Sequence, residues 1–173
     1  TQVKEVKEHK EEFDTFVEFP VSKSVIHADF RNNMNELVQL HTGIEKIMSK
    51  EDIIVTRIEI VGFASPEGGE AFNQKLSEAR AEALRDYVMS KFPALNKNMF
   101  SIVYGGEGWD KLENLIESSD YKNKEQILSI IRNKDNIASR KAAMKSITNG
   151  VTYQQLLKDV YPKIRRATFN IYY

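Results

Sequence analysis

The chain has 173 residues, the length of one compact domain, and its 41% hydrophobic and 29% charged residues are typical of a globular protein. Its 25 Lys and Arg residues balance 25 Asp and Glu residues, so no net charge attracts nucleic acid or an anionic membrane. Because cysteine is absent, disulfides, cysteine-ligated metals and cysteine nucleophiles are excluded. No apolar run approaches the roughly 20 residues of a membrane-spanning helix, so we expect the chain to act in water.

The first half of the chain alternates strand and helix patterns. Residues 1–12 carry many charges and few apolar anchors, which predicts a solvated lead-in or linker. Aromatic residues then predict a strand over 13–19. Apolar residues spaced three and four apart predict a helix over 28–49, with Asp29 as an acid in its first turn. β-Branched residues predict a second strand over 53–63.

The pattern continues with a second long helix, which begins near Phe72 and ends before Phe92-Pro93. A third strand is predicted over 99–104 and a closing strand over 166–173, where Ala167, Phe169 and Ile171 share one side. Strands that alternate with helices of this length predict a β-α-β-α-β core, with helices on one face of a partly parallel, mixed sheet. We therefore expect one α+β domain, an α/β sandwich, over residues 13–173.

Residues 110–164 interrupt this pattern with several short helical stretches. The predicted turns between them include Asp135-Asn136 and Asn149-Gly150. Each stretch is too short to be stable alone. We expect this segment to be a helical insertion that packs against the edge of the domain, before the last strand.

Signals for catalysis or metal binding are weak. The three histidines, His9, His27 and His41, have no second ligand at metal-binding spacing, which favours surface or turn positions. Gly105 to Gly108 follow a strand, as a phosphate-binding loop does, but they lack the Gly-Lys-Ser/Thr ending, and we interpret them as a tight turn. We expect no catalytic residue, no metal and no cofactor.

The segment 62–81, GFASPEGGEAFNQKLSEARA, carries the most specific motif in the chain. It resembles the signature of the OmpA-like C-terminal domain, the peptidoglycan-associated module of Gram-negative envelope proteins. The matching positions are Gly62, Phe63, Gly68, Asn73, Leu76, Ser77, Arg80 and Ala81. Arg165-Arg166 is similar to the arginine pair before the last strand of the family. The likeness covers most of residues 16–105 and 162–173, and the insertion departs from it.

The resemblance implies a ligand site. In the family, the arginine that matches Arg80 binds the carboxylate of diaminopimelate in the peptidoglycan stem peptide, and the Asp of a Thr-Asp pair binds its ammonium. Here Ala64-Ser65 stands at the Thr-Asp position. A neutral serine hydroxyl accepts a hydrogen bond but carries no counter-charge for an ammonium. Glu67 or Glu70, in the same loop, would have to supply the missing carboxylate.

The residues on the second helix support a site independently of the family. Asn73, Ser77 and Arg80 lie at i, i+4 and i+7 and share one stripe of the helix. Arg80 has no acid three or four residues away on its own helix to pair with, so its guanidinium either takes a ligand carboxylate or lies solvated over neighbouring apolar residues. Both interpretations stay open. We expect Asn73 to orient the loop through hydrogen bonds, and Ser77 to be either a surface residue or a contact.

The remaining candidates have structural alternatives. Ser65, with the proline that follows it, is favoured as a helix cap that orders the loop. Glu67 and Glu70 are typical solvated acids near a helix start. Arg165 and Arg166 are expected to pair with acids of the neighbouring loop and to support the site.

Taken together, these features indicate a non-catalytic module on the periplasmic side of the outer membrane, which docks on the diaminopimelate-containing stem peptide through Arg80 and the loop 64–70. The alternative is an OmpA-like scaffold whose ligand site has decayed at Ser65, and whose insertion over 110–164 binds another envelope protein. A cell-wall hydrolase is disfavoured because the chain offers no nucleophile or metal set.

Overall fold

The computed structural model describes residues 7–133 and 136–173. Four strands form one sheet: β1 (Lys10–Glu18), β2 (Arg57–Ala64), β3 (Phe100–Glu107) and β4 (Arg166–Tyr172). The α-helices of the described residues are α1 (Asn33–Met48), α2 (Glu70–Lys91), α3 (Trp109–Glu117), α4 (Lys124–Arg132), α5 (Ile137–Ser146) and α6 (Val151–Asp159). None of these helices combines the length and the apolar composition that crossing a membrane requires. The predicted α+β class, with a mixed sheet, a helical insertion and a closing strand, is confirmed.

The sheet has the strand order β1-β4-β2-β3. β2 and β3 are parallel, because α2 carries the chain back across the sheet between them. β4 lies between β1 and β2 and is antiparallel to both. As a result, the ends of β2 and β3 meet the start of β4 at one edge, where Ala64 pairs with Glu107 and Gly62 pairs with Ala167.

Helices α1 and α2 cover one face of the sheet and bury the main core. The alternation in β2 turns Ile58, Ile60 and Ala64 toward the helices, and all three are fully buried. Gly62 continues this face. A Cβ atom at Gly62 would lie 1.9 Å from the backbone oxygen of Ser77, so the missing side chain lets α2 lie directly against β2.

The insertion has a hydrophobic cluster of its own. Its buried members come from α3 to α6 and the turn before β4: Leu112, Ile116, Ile127, Leu128, Ile131, Met144, Ile147, Leu156, Val160, Tyr161 and Ile164. Each of the four helices has only 9 or 10 residues, so it owes its stability to this shared packing. The predicted turn at Asn149-Gly150 is present and has positive φ angles, whereas Asp135 lies outside the described residues.

Several predicted boundaries were wrong. Helix α1 begins at Asn33, so Asp29 precedes it and Glu36 is the acid of its first turn. β2 begins at Arg57, four residues later than predicted from its apolar pattern. β3 continues through Glu107, so Gly105 and Gly106 of the predicted turn lie within the strand, and Gly108 lies between β3 and α3.

The N-terminal boundary also differs. β1 begins at Lys10, inside the predicted lead-in, because Lys10 pairs with Tyr172 and Glu11 with Ile171. Backbone pairing at an edge strand needs no apolar side chains, and charged residues are common there. Residues 1–6 of the predicted lead-in lie outside the described residues.

Candidate ligand-binding site

The stripe predicted on α2 is buried against the end of the sheet. Asn73, Ser77 and Arg80 are all buried, so the surface alternative for Ser77 is wrong. The Ser77 hydroxyl donates to the Gln74 carbonyl and accepts from the Gly106 backbone N–H at 3.3 Å. Polar side chains this deep in a protein are retained where they have partners, and this stripe ties α2 to β3.

Asn73 holds the loop that follows β2. Its side-chain N–H₂ donates to the carbonyl oxygens of Ser65 at 3.2 Å and Gly68 at 3.3 Å. It also donates to the Glu107 carboxylate at 2.6 Å. These bonds connect both ends of the 65–68 loop to β3, which is the orienting role that the sequence predicts for Asn73.

Arg80 is 0% exposed and is bonded to backbone rather than to solvent. Its Nε donates to the Lys23 carbonyl at 3.0 Å, Nη1 to the Phe63 carbonyl at 2.9 Å, and Nη2 to the Pro20 carbonyl at 3.2 Å. The solvated alternative is therefore wrong. Arg80 joins the end of β2 to the turn at 20–23, and the Phe19 ring lies 5.3 Å from its guanidinium carbon.

The electrostatic environment of Arg80 is unfavourable to its charge. The pKa of Arg80 is lowered to about 10, chiefly by burial and also by the positive charge of Arg165, while the carboxylate of Glu67 opposes both effects. The group stays protonated at neutral pH, because the lowered pKa is still well above 7. Arg80 is thus a buried cation with a second arginine nearby.

That second arginine, Arg165, precedes β4 and is only 5% exposed. Its Nε donates to the Ser65 hydroxyl at 2.9 Å. Nε and Nη2 also donate to Glu67 Oε1, at 3.2 and 2.8 Å. The expected pairing of Arg165 with a loop acid is therefore present. Glu67 Oε2 is buried and has no hydrogen-bond partner within residues 7–133 and 136–173.

The structure does not assign Ser65 the capping role favoured from the sequence. Helix α2 begins at Glu70, and its cap position is Gly69, which makes no side-chain cap hydrogen bond. Ser65 is too far upstream to cap this helix. It is buried and accepts a hydrogen bond from Arg165 instead.

Three other predicted residues, Ala64, Glu70 and Arg166, have different surroundings. Ala64 is buried, and its carbonyl accepts from the Gly108 N–H at 3.0 Å. Glu70 is exposed in the first turn of α2, as expected for a solvated acid. Arg166 lies on the opposite face of the sheet, between the rings of Phe16 and Phe63 at 4.9 and 4.5 Å. Among the described residues it has no acid partner, so its predicted ion pair was wrong.

Sequence reasoning missed Glu107 and Lys141. The Glu107 side chain is 5% exposed and accepts from Asn73, from Trp109 Nε1 at 3.1 Å and from the Lys141 ammonium. Lys141, on α5 of the insertion, also donates to the Gly68 carbonyl at 2.7 Å. Glu107 ends β3 beside the end of β2, so strand order could have identified it. No signal in the sequence marked Lys141.

No group of three or more His, Asp or Glu side chains in the described ranges could hold a metal ion. The chemistry available at the end of β2 is therefore that of charged hydrogen bonds. Arg80, Arg165, Ser65, Glu67 and Asn73 form one buried cluster, here called the Arg80 site. Lys141 and Glu107 border it.

Replacing Glu67 with Gln should destabilise the fold by about 1–3 kcal/mol, because Arg165 would stay buried without its carboxylate. The figure lies below that for a fully buried pair, because the Glu67 side chain is 22% exposed. Urea denaturation measures this change in the free energy of unfolding. Glu113→Gln is the control, since its pair with Arg132 is exposed, and we expect a change below about 1 kcal/mol. Equal effects of both substitutions would contradict the buried ion pair.

Comparison with known proteins gives both sequence and structural relatives, although no family model matches the chain. Outer membrane protein A of Serratia odorifera is 33% identical over 87 residues, which are 50% of this chain and 32% of that protein. Outer membrane protein A of Serratia marcescens is 33% identical over 73 residues, covering 42% of this chain and 18% of that protein. The chain thus spans a third or less of the length of these relatives.

Two solved structures are similar at lower identity. The OmpA-like domain of FopA1 from Francisella tularensis has a TM-score of 0.47 and 15% identity, and the match covers 91% of this chain and 70% of that one. The peptidoglycan-associated lipoprotein from Burkholderia pseudomallei has a TM-score of 0.47 and 14% identity, with 91% and 90% covered.

The fold and the Arg80 site define an α+β domain with a buried arginine cluster where its second strand ends. The sequence matches to outer membrane protein A confirm the resemblance predicted from the motif: half of the chain is similar to part of that protein, and a helical insertion precedes the last strand.

Proposed function

We propose that this chain is a non-catalytic, peptidoglycan-binding module of the cell envelope, on the periplasmic side of the outer membrane. It docks on the stem peptide, and Arg80 binds the carboxylate of diaminopimelate. The similarity to outer membrane protein A over half of the chain supports the envelope location. The motif residues around Arg80 support the ligand.

The observation that carries this proposal is the charge balance of the Arg80 site. Of two buried guanidinium groups, Arg165 forms an ion pair with Glu67, whereas Arg80 donates its hydrogen bonds to backbone carbonyls. A ligand carboxylate would balance the second positive charge. The lowered pKa of Arg80 is consistent with this view, because burial and Arg165 both oppose its charge in the absence of such a group.

Arg80 keeps donors for a ligand. A guanidinium has five N–H groups, and the hydrogen bonds to Pro20, Lys23 and Phe63 use three of them. A charged hydrogen bond to a carboxylate contributes roughly 1.5–3 kcal/mol. Because Arg80 is fully covered, the ligand reaches it only when the turn at 20–23 or the loop at 65–68 moves aside.

Co-sedimentation with isolated sacculi and calorimetric titration with diaminopimelate test the proposal. We expect the wild-type chain to bind both, and Arg80→Lys to weaken binding by roughly tenfold or more, because lysine lacks the planar fork. Arg85→Ala is the matched control on the same helix. Arg85 pairs with the exposed Asp86, so its loss should leave binding unchanged.

Circular dichroism must show that Arg80→Lys is folded. A folded Arg80→Lys variant that binds as tightly as the wild type would contradict the proposed role of Arg80. A wild-type chain that fails to sediment with sacculi would contradict the peptidoglycan-binding function.

A second candidate is favoured by one observation, the three hydrogen bonds that Arg80 donates to backbone carbonyls. In this alternative, Arg80 is structural, the ligand site has decayed at Ser65, and the insertion over 110–164 binds another envelope protein. The Ser65→Asp variant distinguishes the two. Absence of diaminopimelate binding by the wild type, with a gain of binding in Ser65→Asp, would favour the scaffold.

A further inference from the structure

A lysine from the insertion reaches the edge of the Arg80 site. Lys141 projects from α5, and its ammonium contacts both the Glu107 carboxylate and the Gly68 carbonyl. Its side chain is 15% exposed, and that of Glu107 is 5% exposed. Gly68 belongs to the same loop as Ser65 and Glu67, and Asn73 bonds to Ser65, Gly68 and Glu107 together. Lys141 is therefore continuous with the Arg80 site.

The contacts of Lys141 are those that the ammonium of an amino-acid ligand would make. An ammonium has three N–H donors and is bound by carboxylates and carbonyl oxygens. The two carboxylates in this region are Glu67 and Glu107, and each already faces a cation of the chain itself. Arg165 donates two N–H groups to Glu67, and Lys141 binds Glu107.

This arrangement leaves no carboxylate whose charge is unbalanced. Glu67 Oε2 lacks a hydrogen-bond partner among the described residues, but the charge of Glu67 is met by Arg165. In the same part of the chain Arg80, by contrast, forms no ion pair with a carboxylate, and Glu67 acts on it only at longer range. A ligand carboxylate would therefore balance the charge of Arg80, whereas a ligand ammonium would meet only carboxylates that are already paired.

We propose that Lys141 is a specificity-determining residue: it fills the ammonium position beside the Arg80 site, so that the site recognises the carboxylate of its ligand and not the ammonium. This inference rests on the proposed function. An acid at position 65 would serve to bind a ligand ammonium. Because the ammonium of Lys141 takes the place of that group, the neutral Ser65 is sufficient at this position.

The experiment compares two ligands that differ only in their amino groups. Calorimetric titrations use diaminopimelate and pimelate, the same dicarboxylate without amino groups. We expect the wild type to bind both with affinities within about threefold. Lys141→Met keeps the length of the side chain but frees Glu107, and we expect it to prefer diaminopimelate by roughly tenfold or more, as a charged hydrogen bond would provide.

Two further variants distinguish the effect of the Lys141 charge from a general effect of substitution on the fold. Lys141→Arg keeps a cation near Glu107 and should retain the wild-type ratio of affinities. Lys145→Met removes an exposed lysine one turn further along α5 and should also retain it. Urea denaturation of each variant shows that it is folded, so that a change in the ratio reports specificity rather than stability.

The outcomes are distinct. A wild type that prefers diaminopimelate tenfold, or a folded Lys141→Met whose ratio is unchanged, would overturn the role of Lys141 and leave carboxylate binding by Arg80 standing. If neither the wild type nor folded Lys141→Met bound either ligand, the proposed function itself would fail, and this inference with it.

Discussion

The Arg80→Met variant should be less stable than the wild type by roughly 3–5 kcal/mol, the largest effect that we expect from a single side chain. Methionine fills much of the same volume but donates no hydrogen bond. The carbonyls of Pro20, Lys23 and Phe63 would lose the donor that Arg80 provides. A buried carbonyl left without a partner costs about 1–3 kcal/mol. These three hydrogen bonds are partly buried, and the removal of an unfavourably buried cation offsets part of the loss.

The measurement is the free energy of unfolding in urea, with Arg85→Met as the control. Arg85 lies on the same helix and pairs with an exposed acid, so its replacement should change stability by about 0.5 kcal/mol or less. If Arg80→Met were as stable as Arg85→Met, the backbone hydrogen bonds of Arg80 would not hold the turn at 20–23 to the sheet.

The Gly62→Ala variant is expected to lose about 3 kcal/mol or more of stability through overpacking. A methyl group at Gly62 would lie 1.9 Å from the Ser77 backbone oxygen and 3.0 Å from the Ala81 nitrogen. Backbone atoms of a helix cannot rotate away, so α2 would have to move off β2. Such a shift would draw Arg80 away from the Phe63 carbonyl, and we expect ligand affinity to fall together with stability.

Gly69→Ala is the matched control in the same segment. A Cβ atom at Gly69 meets nothing within 4 Å, and the φ angle of −68° suits any residue. We expect a change below about 1 kcal/mol, because alanine is a poorer helix cap than glycine but also restricts the unfolded chain. Thermal and urea unfolding would measure both variants, and a Gly62→Ala protein of wild-type stability would show that α2 does not need this close approach.

The elements that were predicted well are those whose side chains alternate between core and solvent. Ala167, Phe169 and Ile171 are fully buried in β4, because a strand against a helical layer has a period of two. The start of β1 and the end of β3 were predicted less well. Backbone pairing extends both strands through charged residues and glycines, which carry no apolar pattern.

At the site, the motif identified Arg80 but not its surroundings. The acceptors of Arg80 include the Pro20 and Lys23 carbonyls, 60 and 57 residues away. Every residue has a backbone carbonyl, so the sequence does not indicate which carbonyls accept hydrogen bonds from Arg80. Lys141 lies 73 residues from Gly68 on a helix without a motif, and only the packing of the insertion brings the two together.

The position of β4 between β1 and β2 has a consequence for the order of folding. Within residues 7–133 and 136–173, β1 pairs with β4 and with no other strand, so it can join the sheet only after residues 166–172 have been synthesised. Contacts this distant in sequence slow folding, because a long segment must be closed before they form. Arg165 directly precedes β4, so the same late step that closes the sheet also delivers the second arginine to the Arg80 site.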